Sequence, residues 1–270
     1  MRSWISMPVR LLEEQDVAVA AELSDEAGWN QTADDWRMLL RFAPDGCFGV
    51  DADGRLVSTA TLVCFGRELA WIGMVLTTTA YRRRGFARKL LGYAIERADE
   101  MGIGSLKLDA TDQGQPLYES LGFRVEQPVE RWWRAGGAPA YSATADSLAG
   151  DSFALDREAT GVDRSRLLEA LAGRGGTWRK SEGFCFSRPG RHANYIGPCV
   201  ARDAKVARQL IEGCANEDSY WDLLPQNRAA VAMATDLGFA PARRLVRMVR
   251  GRNLRGREEW IYGIAGFEWG

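Results

Sequence analysis

Apolar positions recur along this chain with two periods, and each change of period marks an element. Residues 9–12 form a short apolar strand, and residues 13–27 carry the wider helical spacing. Thr32, Asp34 and Asp35 supply the oxygens that start a second helix, which runs to Phe42. Residues 47–50 and 56–65 flank Asp53-Gly54, a dipeptide suited to a tight hairpin turn. Another turn, Gly66-Arg67-Glu68, leads into an apolar strand over residues 69–76. Beyond it Ala87, Leu90, Leu91, Ala94, Ala98 and Met101 return at helical spacing, with Arg88, Lys89, Glu96, Arg97 and Glu100 between them. Gly102 ends that helix and residues 105–110 are the next strand. Pro116 and Gly122 then bracket a short helix at its first turn and its stop.

The remainder of the chain echoes this order. Ile72-Gly73 returns as Ile196-Gly197, 124 residues later. Residues 87–91 return at 207–211, an offset of 120, and Leu121-Gly122-Phe123 returns as Leu237-Gly238-Phe239, an offset of 116. About four residues are therefore missing from the second copy between strand and helix, where residues 82–85 stand in the first. Between the copies, residues 135–152 are rich in Ala, Gly and Ser and read as a linker. The implied domains are 1–134 and 153–270, consistent with the roughly two cores that 270 residues would build.

Composition narrows the function. With 35 basic and 36 acidic residues the net charge is −1, so no nucleic-acid partner is implied. No apolar run is long enough to span a bilayer, and the N-terminus lacks a secretory apolar core. The five cysteines contain no Cys-x-x-Cys pair and read as reduced, buried small hydrophobes of a cytoplasmic protein. A single histidine, His192, leaves no basis for a zinc site, and no metal is expected.

The densest chemistry lies at residues 75–88. An apolar strand runs into Arg82-Arg83-Arg84-Gly85, and a helix opens with Phe86, Ala87 and Arg88. That order aims several backbone N–H groups and the positive end of a helix at one point. The arginines add fixed positive charge, and Gly85 lets a ligand come close to the backbone. The combination is an anion site suited to a diphosphate.

Arg82-x-x-Gly85-x-Ala87 resembles the acyl-CoA pyrophosphate loop of the GCN5-related N-acetyltransferases (GNAT). Leu117-Tyr118-x-x-Leu121-Gly122-Phe123 resembles the family's second signature. The resemblance covers roughly residues 8–134 and implies tandem GNAT folds of α+β or α/β class, each a mixed, mostly antiparallel sheet flanked by helices. It implies acetyl-CoA as cosubstrate in the first domain, held by residues 82–88 and by the strand at Met74, Val75 and Leu76. A backbone N–H of that strand would meet the thioester oxyanion, and Tyr118 would stand as the acid for the leaving thiolate. The family's usual base is a glutamate on this strand, but residues 71–76 hold no carboxylate. Asp109 and Asp112 are the nearest candidates, with a water relay equally open; His192 is a remote one. Trp29, Asn30 and Gln31 would border a small-molecule or peptide amine acceptor.

The second copy resembles the C-terminal domain of two-domain bacterial acetyltransferases. Residues 200–204 contain no Gly, and Asp203 would face phosphate with negative charge, so no acyl-CoA is expected there. Trp221 and Asp222 are its candidates for the acceptor wall, and residues 260–267 its candidate closing strand. The resulting expectation is an N-acetyltransferase acting as monomer or homodimer. Alternatives are a longer acyl donor or a non-catalytic acyl-CoA-binding module.

Overall fold

The structure, a computed structural model, describes residues 7–136, 150–215 and 217–270; for Gly150 and Asp151 it gives the backbone alone. Most of the expected linker, residues 137–149, lies outside the described residues. The first half contains β1 (Val9–Leu11), α1 (Val17–Glu26), α2 (Ala33–Phe42), β2 (Cys47–Ala52), β3 (Arg55–Phe65) and β4 (Leu69–Thr77). It continues with α3 (Phe86–Glu100), β5 (Ser105–Ala110), α4 (Gln115–Glu119) and β6 (Arg124–Arg134). Then come α5 (Gly150–Thr160), α6 (Ser165–Ala172), β7 (Gly176–Lys180), β8 (Gly183–Arg188), β9 (Asn194–Ala201) and α7 (Ala204–Cys214). The chain finishes with β10 (Ser219–Leu223), α8 (Arg228–Asp236), β11 (Ala240–Gly251) and β12 (Ile261–Gly263). Local chemistry sets the ends as expected. Thr32 and Asp35 close a capping box on α2, and Pro116 sits in the first turn of α4.

All the strands join one sheet, in the order β1-β2-β3-β4-β5-β11-β6-β10-β9-β8-β7, with β12 added on β9. Two central strands are exchanged. β11, from the second half, lies between β5 and β6 of the first; β6, from the first half, lies between β11 and β10 of the second. Apart from β1, which has no counterpart, and β12, the sheet has the same plan read from either edge, a pseudo-two-fold arrangement of the two sequence copies. A buried ion pair marks each junction. Arg247 of β11 holds Asp109 of β5 with Nε and Nη2 at 2.9 and 3.0 Å. Arg131 of β6 holds Asp222 of β10 in the same way at 2.8 and 2.7 Å. Both pairs join residues directly opposite in the ladder.

Two apolar layers cover the first half. Phe86, Leu90, Leu91 and Ala94 of α3 pack on one face of β2–β5, joined by Met248 of the exchanged β11. On the other face Val17, Leu23, Trp36 and Leu39 of α1 and α2 meet Leu167 and Leu171 of α6 and Trp269 of the C-terminal tail. The tail is pressed closely onto β4. A Cβ built on Gly73 would lie 3.0 Å from the Cα of Glu268, a tight contact that the tail backbone would have to yield to. Trp71 Nε1 donates to the Phe267 carbonyl at 2.8 Å.

The closing strand read at residues 260–267 is a correction. Only Ile261–Gly263 is a strand, and the strand equivalent to β6 is β11. A 3-10 turn at Glu14–Asp16 also precedes α1, so the helix starts later than its apolar spacing indicated.

Candidate functional site

The site begins where a parallel pairing stops. β4 and β5 are paired only at Ala70–Leu106 and Trp71–Lys107, and then diverge. β4 bulges at the same point: residues 74 and 75 oppose one residue of β3, and Met74 takes φ 49°. Thr59 Oγ1 donates to the Met74 carbonyl at 2.8 Å and Ser58 Oγ to the Leu76 carbonyl at 2.6 Å. Side chains of β3 thus fix the backbone where the regular ladder is broken. The divergence opens a cleft of about 360 Å³.

One end of the cleft is the basic turn. Glu26 at the end of α1 holds it, accepting from Thr78 Oγ1 at 2.8 Å and from the Thr79 N–H at 2.6 Å. These hydrogen bonds, Thr79's first, keep the Glu26 carboxyl below its ordinary range. Arg83 and Gly85 adopt left-handed φ values of 62° and 87°. Gly85 is the N-cap of α3 and no side chain caps that helix. The first-turn N–H groups are free of intrahelical partners by construction, and a Cβ added to Gly85 would meet nothing within 4 Å. Among the described residues nothing occupies the position of a Gly85 side chain, and a helix start of this kind suits a diphosphate. Arg82 and Ala87 line the cleft, together with Met74, Val75 and Leu76. The other expected loop residues sit differently. Arg84 stacks on the Tyr81 ring at 4.8 Å, Arg88 donates to Ser120 Oγ at 2.8 Å, and Phe86 buries its ring in the core, leaving its backbone to the loop.

The equivalent place in the second half is closed twice. Asp203 caps α7, accepting from the Val206 N–H at 2.9 Å. The gap between β9 and β10 is bridged by the chain itself: β12 pairs with β9, and the Ile264 N–H donates to the Asp222 carbonyl at 3.1 Å.

Tyr118 of α4 lines the open cleft, its ring edge-on to Phe123 at 6.1 Å. Burial pushes its phenol well above the ordinary range, so it is a protonated donor at neutral pH. Asp109 also lines the cleft, yet both its oxygens are taken by Arg247. Burial pushes its carboxyl up while Arg247 opposes the shift. Its geometry is that of a strand-locking ion pair. Asp112 and His192 are exposed and outside the cleft lining.

Trp29 and Gln31, between α1 and α2, also line the cleft. Asn30 does not. Its side chain bonds the backbone of His192 and Ala193, tying the two halves together. Trp221 and Asp222 are corrections: neither lines the cleft. Trp221 is wholly buried, donating to the Tyr262 carbonyl at 2.7 Å, and Asp222 is wholly buried against Arg131. The second half instead reaches the cleft through Arg243 and Leu245 of β11 and Phe267 of the tail. Sequence order placed these residues far from the site; the strand exchange brings Arg243 and Leu245 there, and the packing of the tail on β4 brings Phe267.

All five cysteines are free thiols, and burial pushes Cys47 up to about 12. Among the described residues no group of three or more side chains could hold a metal, and no helix is long and apolar enough to cross a membrane.

Residues 11–123 match the model of the acetyltransferase (GNAT) family, and residues 153–263 match a second acetyltransferase (GNAT) domain model. The chain belongs to the GNAT acetyltransferases and carries two such domains in tandem. A relative is the uncharacterized N-acetyltransferase YitH of Bacillus subtilis, 31% identical over 172 residues, which are 59% of this chain and 58% of that protein. A protein of Schizosaccharomyces pombe is 33% identical over 76 residues, 27% of this chain and 51% of its own length. The chain thus spans just over half the length of these curated relatives. An acetyltransferase candidate from Pyrococcus horikoshii, solved as a crystal structure, superposes with a TM-score of 0.86 at 22% identity, covering 98% of this chain and 96% of that one. A GCN5-related N-acetyltransferase from Sphaerobacter thermophilus superposes at 0.62 and 15% identity, covering 97% and 98%. At these identities the shared property is the fold.

Proposed function

We propose that the protein transfers an acetyl group from acetyl-CoA directly to a primary amine, within its first half. What carries the reading is the uncapped N-terminus of α3 at the mouth of the β4–β5 divergence. An open nest of N–H donors beside Arg82 suits the diphosphate. The bulge at Met74 and Val75 offers backbone N–H groups where a thioester oxygen gains charge. The acyl donor then lies along β4, in the slot that the second half fills with its own β12.

The amine nitrogen attacks the thioester carbonyl carbon, a C–N bond forms, and the C–S bond breaks. The Tyr118 hydroxyl gives its proton to the departing sulfur and regains one from solvent. The proton lost by the amine leaves through water, since the Asp109 carboxylate is occupied by Arg247. Holding amine and thioester together makes a covalent enzyme intermediate unnecessary. In this reading residues 1–134 supply the chemistry, completed by β11, and residues 153–270 supply part of the acceptor wall.

Incubating the purified protein with acetyl-CoA and a panel of amines, and following thiol release, tests the reading; a longer acyl-CoA series tests the donor. Tight acetyl-CoA binding with no thiol released from any amine would favour the other reading, a binding module, for which the paired state of Asp109 is the supporting observation.

A further inference from the structure

Four charged side chains line the cleft: Arg82, Asp109, Arg131 and Arg243. Arg82 belongs to the diphosphate end, its Nε donating to the Thr77 carbonyl at 3.1 Å. Asp109 is neutralised by Arg247 and Arg131 by Asp222, each in a bidentate pair. Arg243 has no ion-pair or hydrogen-bond partner among the described residues, and it is half-buried. It stands directly opposite Arg131 in the β11–β6 ladder. Two guanidinium groups therefore line one side of the cleft, and Asp222, the carboxylate paired with Arg131, lies on the far side of Arg131 from Arg243, on β10. The Arg131 pair uses Nε and Nη2, leaving Nη1 without a protein partner among the described residues. Phe267 stacks on Arg131 at 4.5 Å and fixes its plane. A half-buried cation with no carboxylate bonded to it is costly to maintain, and Arg243 lines the cleft.

We infer that Arg243, beside Nη1 of Arg131, reads a carboxylate on the acceptor, so that the substrate class is an amine that also carries a carboxylate. Arg243 is a specificity residue from the second half, placed in the first-half site by the strand exchange. A planar guanidinium matches a carboxylate with two parallel N–H donors, which a neutral carboxamide cannot exploit equally. Trp29, Leu245 and Phe267 give the rest of the acceptor end an apolar lining. The inference rests on the acyl-transfer reading only for which ligand enters, not for the presence of the anion site.

The test uses matched pairs: α- and ω-amino acids, each beside its own carboxamide. Binding to the CoA-loaded protein is measured by calorimetry, and thiol release from acetyl-CoA is measured in parallel. At least one carboxylate form should bind about tenfold or more tighter than its amide, the size of one charge-assisted contact. In Arg243→Gln that ratio should fall close to one, in Arg243→Lys it should fall partway, and acetyl-CoA affinity should not change in either. Three results overturn the inference: equal binding of every matched pair, a ratio that survives Arg243→Gln, or acetyl-CoA affinity lost with Arg243. A carboxylate preference lost in Arg243→Gln but with no thiol released would overturn the transfer reading and leave the anion site standing.

Discussion

Gly85 and Tyr118 are the residues on which the proposed chemistry turns, and each can be tested alone. Gly85 holds a left-handed φ in front of open space. Gly85→Glu adds strain and a negative charge where phosphate would sit, so acetyl-CoA affinity should collapse while the unfolding midpoint changes little; retained affinity in calorimetry would remove the loop from the site. Tyr118→Phe keeps the ring against Phe123 and deletes the hydroxyl. Turnover should drop at least about tenfold, the low side of general acid catalysis, with cofactor affinity unchanged. The pH profile carries a second check. Burial disfavours the phenolate, so the hydroxyl keeps its proton above the ordinary tyrosine range near 10. Activity should rise as the amine deprotonates and show no fall below about pH 10 from loss of the Tyr118 proton. A downward bend near pH 8 that disappears in Tyr118→Phe would contradict the buried placement of this phenol. At this scale the sequence was informative: Arg82, Gly85 and Ala87 are near neighbours along the chain, so short spacing encodes their geometry, and Tyr118 was legible through its own local words around Leu117 and Leu121-Gly122-Phe123. It was silent on Arg243 and Phe267, whose approach depends on pairing more than a hundred residues away.

At the level of elements, the sequence reading named no strand at β6 or β11 and set the closing strand at residues 260–267, so the exchange was not legible. Alternation fixes which face is buried; it does not name the strand across the ladder. Arg131 and Arg247 each occupy a strand position where a solvated charge was as plausible as a buried one. Their partners, Asp222 and Asp109, were read as functional because a strand-end carboxylate near a cleft has the right chemistry. The ladder instead puts each acid opposite an arginine of the exchanged strand. Removing one member of a buried pair leaves an uncompensated charge and costs about 3–5 kcal/mol. Asp222→Ala and Asp109→Ala should each lower unfolding free energy by about that amount in denaturant titration. The double change Arg131→Met with Asp222→Leu should recover most of it, since apolar side chains of similar size substitute well for buried pairs. A loss below about 1 kcal/mol in the single variants, the worth of an exposed pair, would mean the strands are held by the backbone ladder alone.

For the whole molecule, the two sequence copies do not correspond to two separable bodies. Without β11, β5 and β6 would each present an unpaired edge, and so would β10 without β6. Residues 1–134 made alone should aggregate or stay unfolded, and so should 150–270. Produced together, the two pieces should form a one-to-one complex that binds acetyl-CoA, observable by size-exclusion chromatography and calorimetry. A folded, cofactor-binding fragment of residues 1–134 would show that the exchange is dispensable. The linker read from composition at residues 135–152 overlaps the start of α5, which begins at Gly150. What the repeat words could not reveal is that crossing that boundary twice is how each half completes its sheet.

The exchange of β6 and β11 has a further consequence for how the site responds to its surroundings. Had the same strands been traded between two chains, the acceptor wall would exist only where a second molecule was present, and its occupancy would follow protein concentration. Covalent connection turns that encounter into an event within one polypeptide, whose effective concentration does not depend on how much protein is present. Rate per chain should therefore stay level on serial dilution far below micromolar, and the acceptor Michaelis constant should not drift with dose.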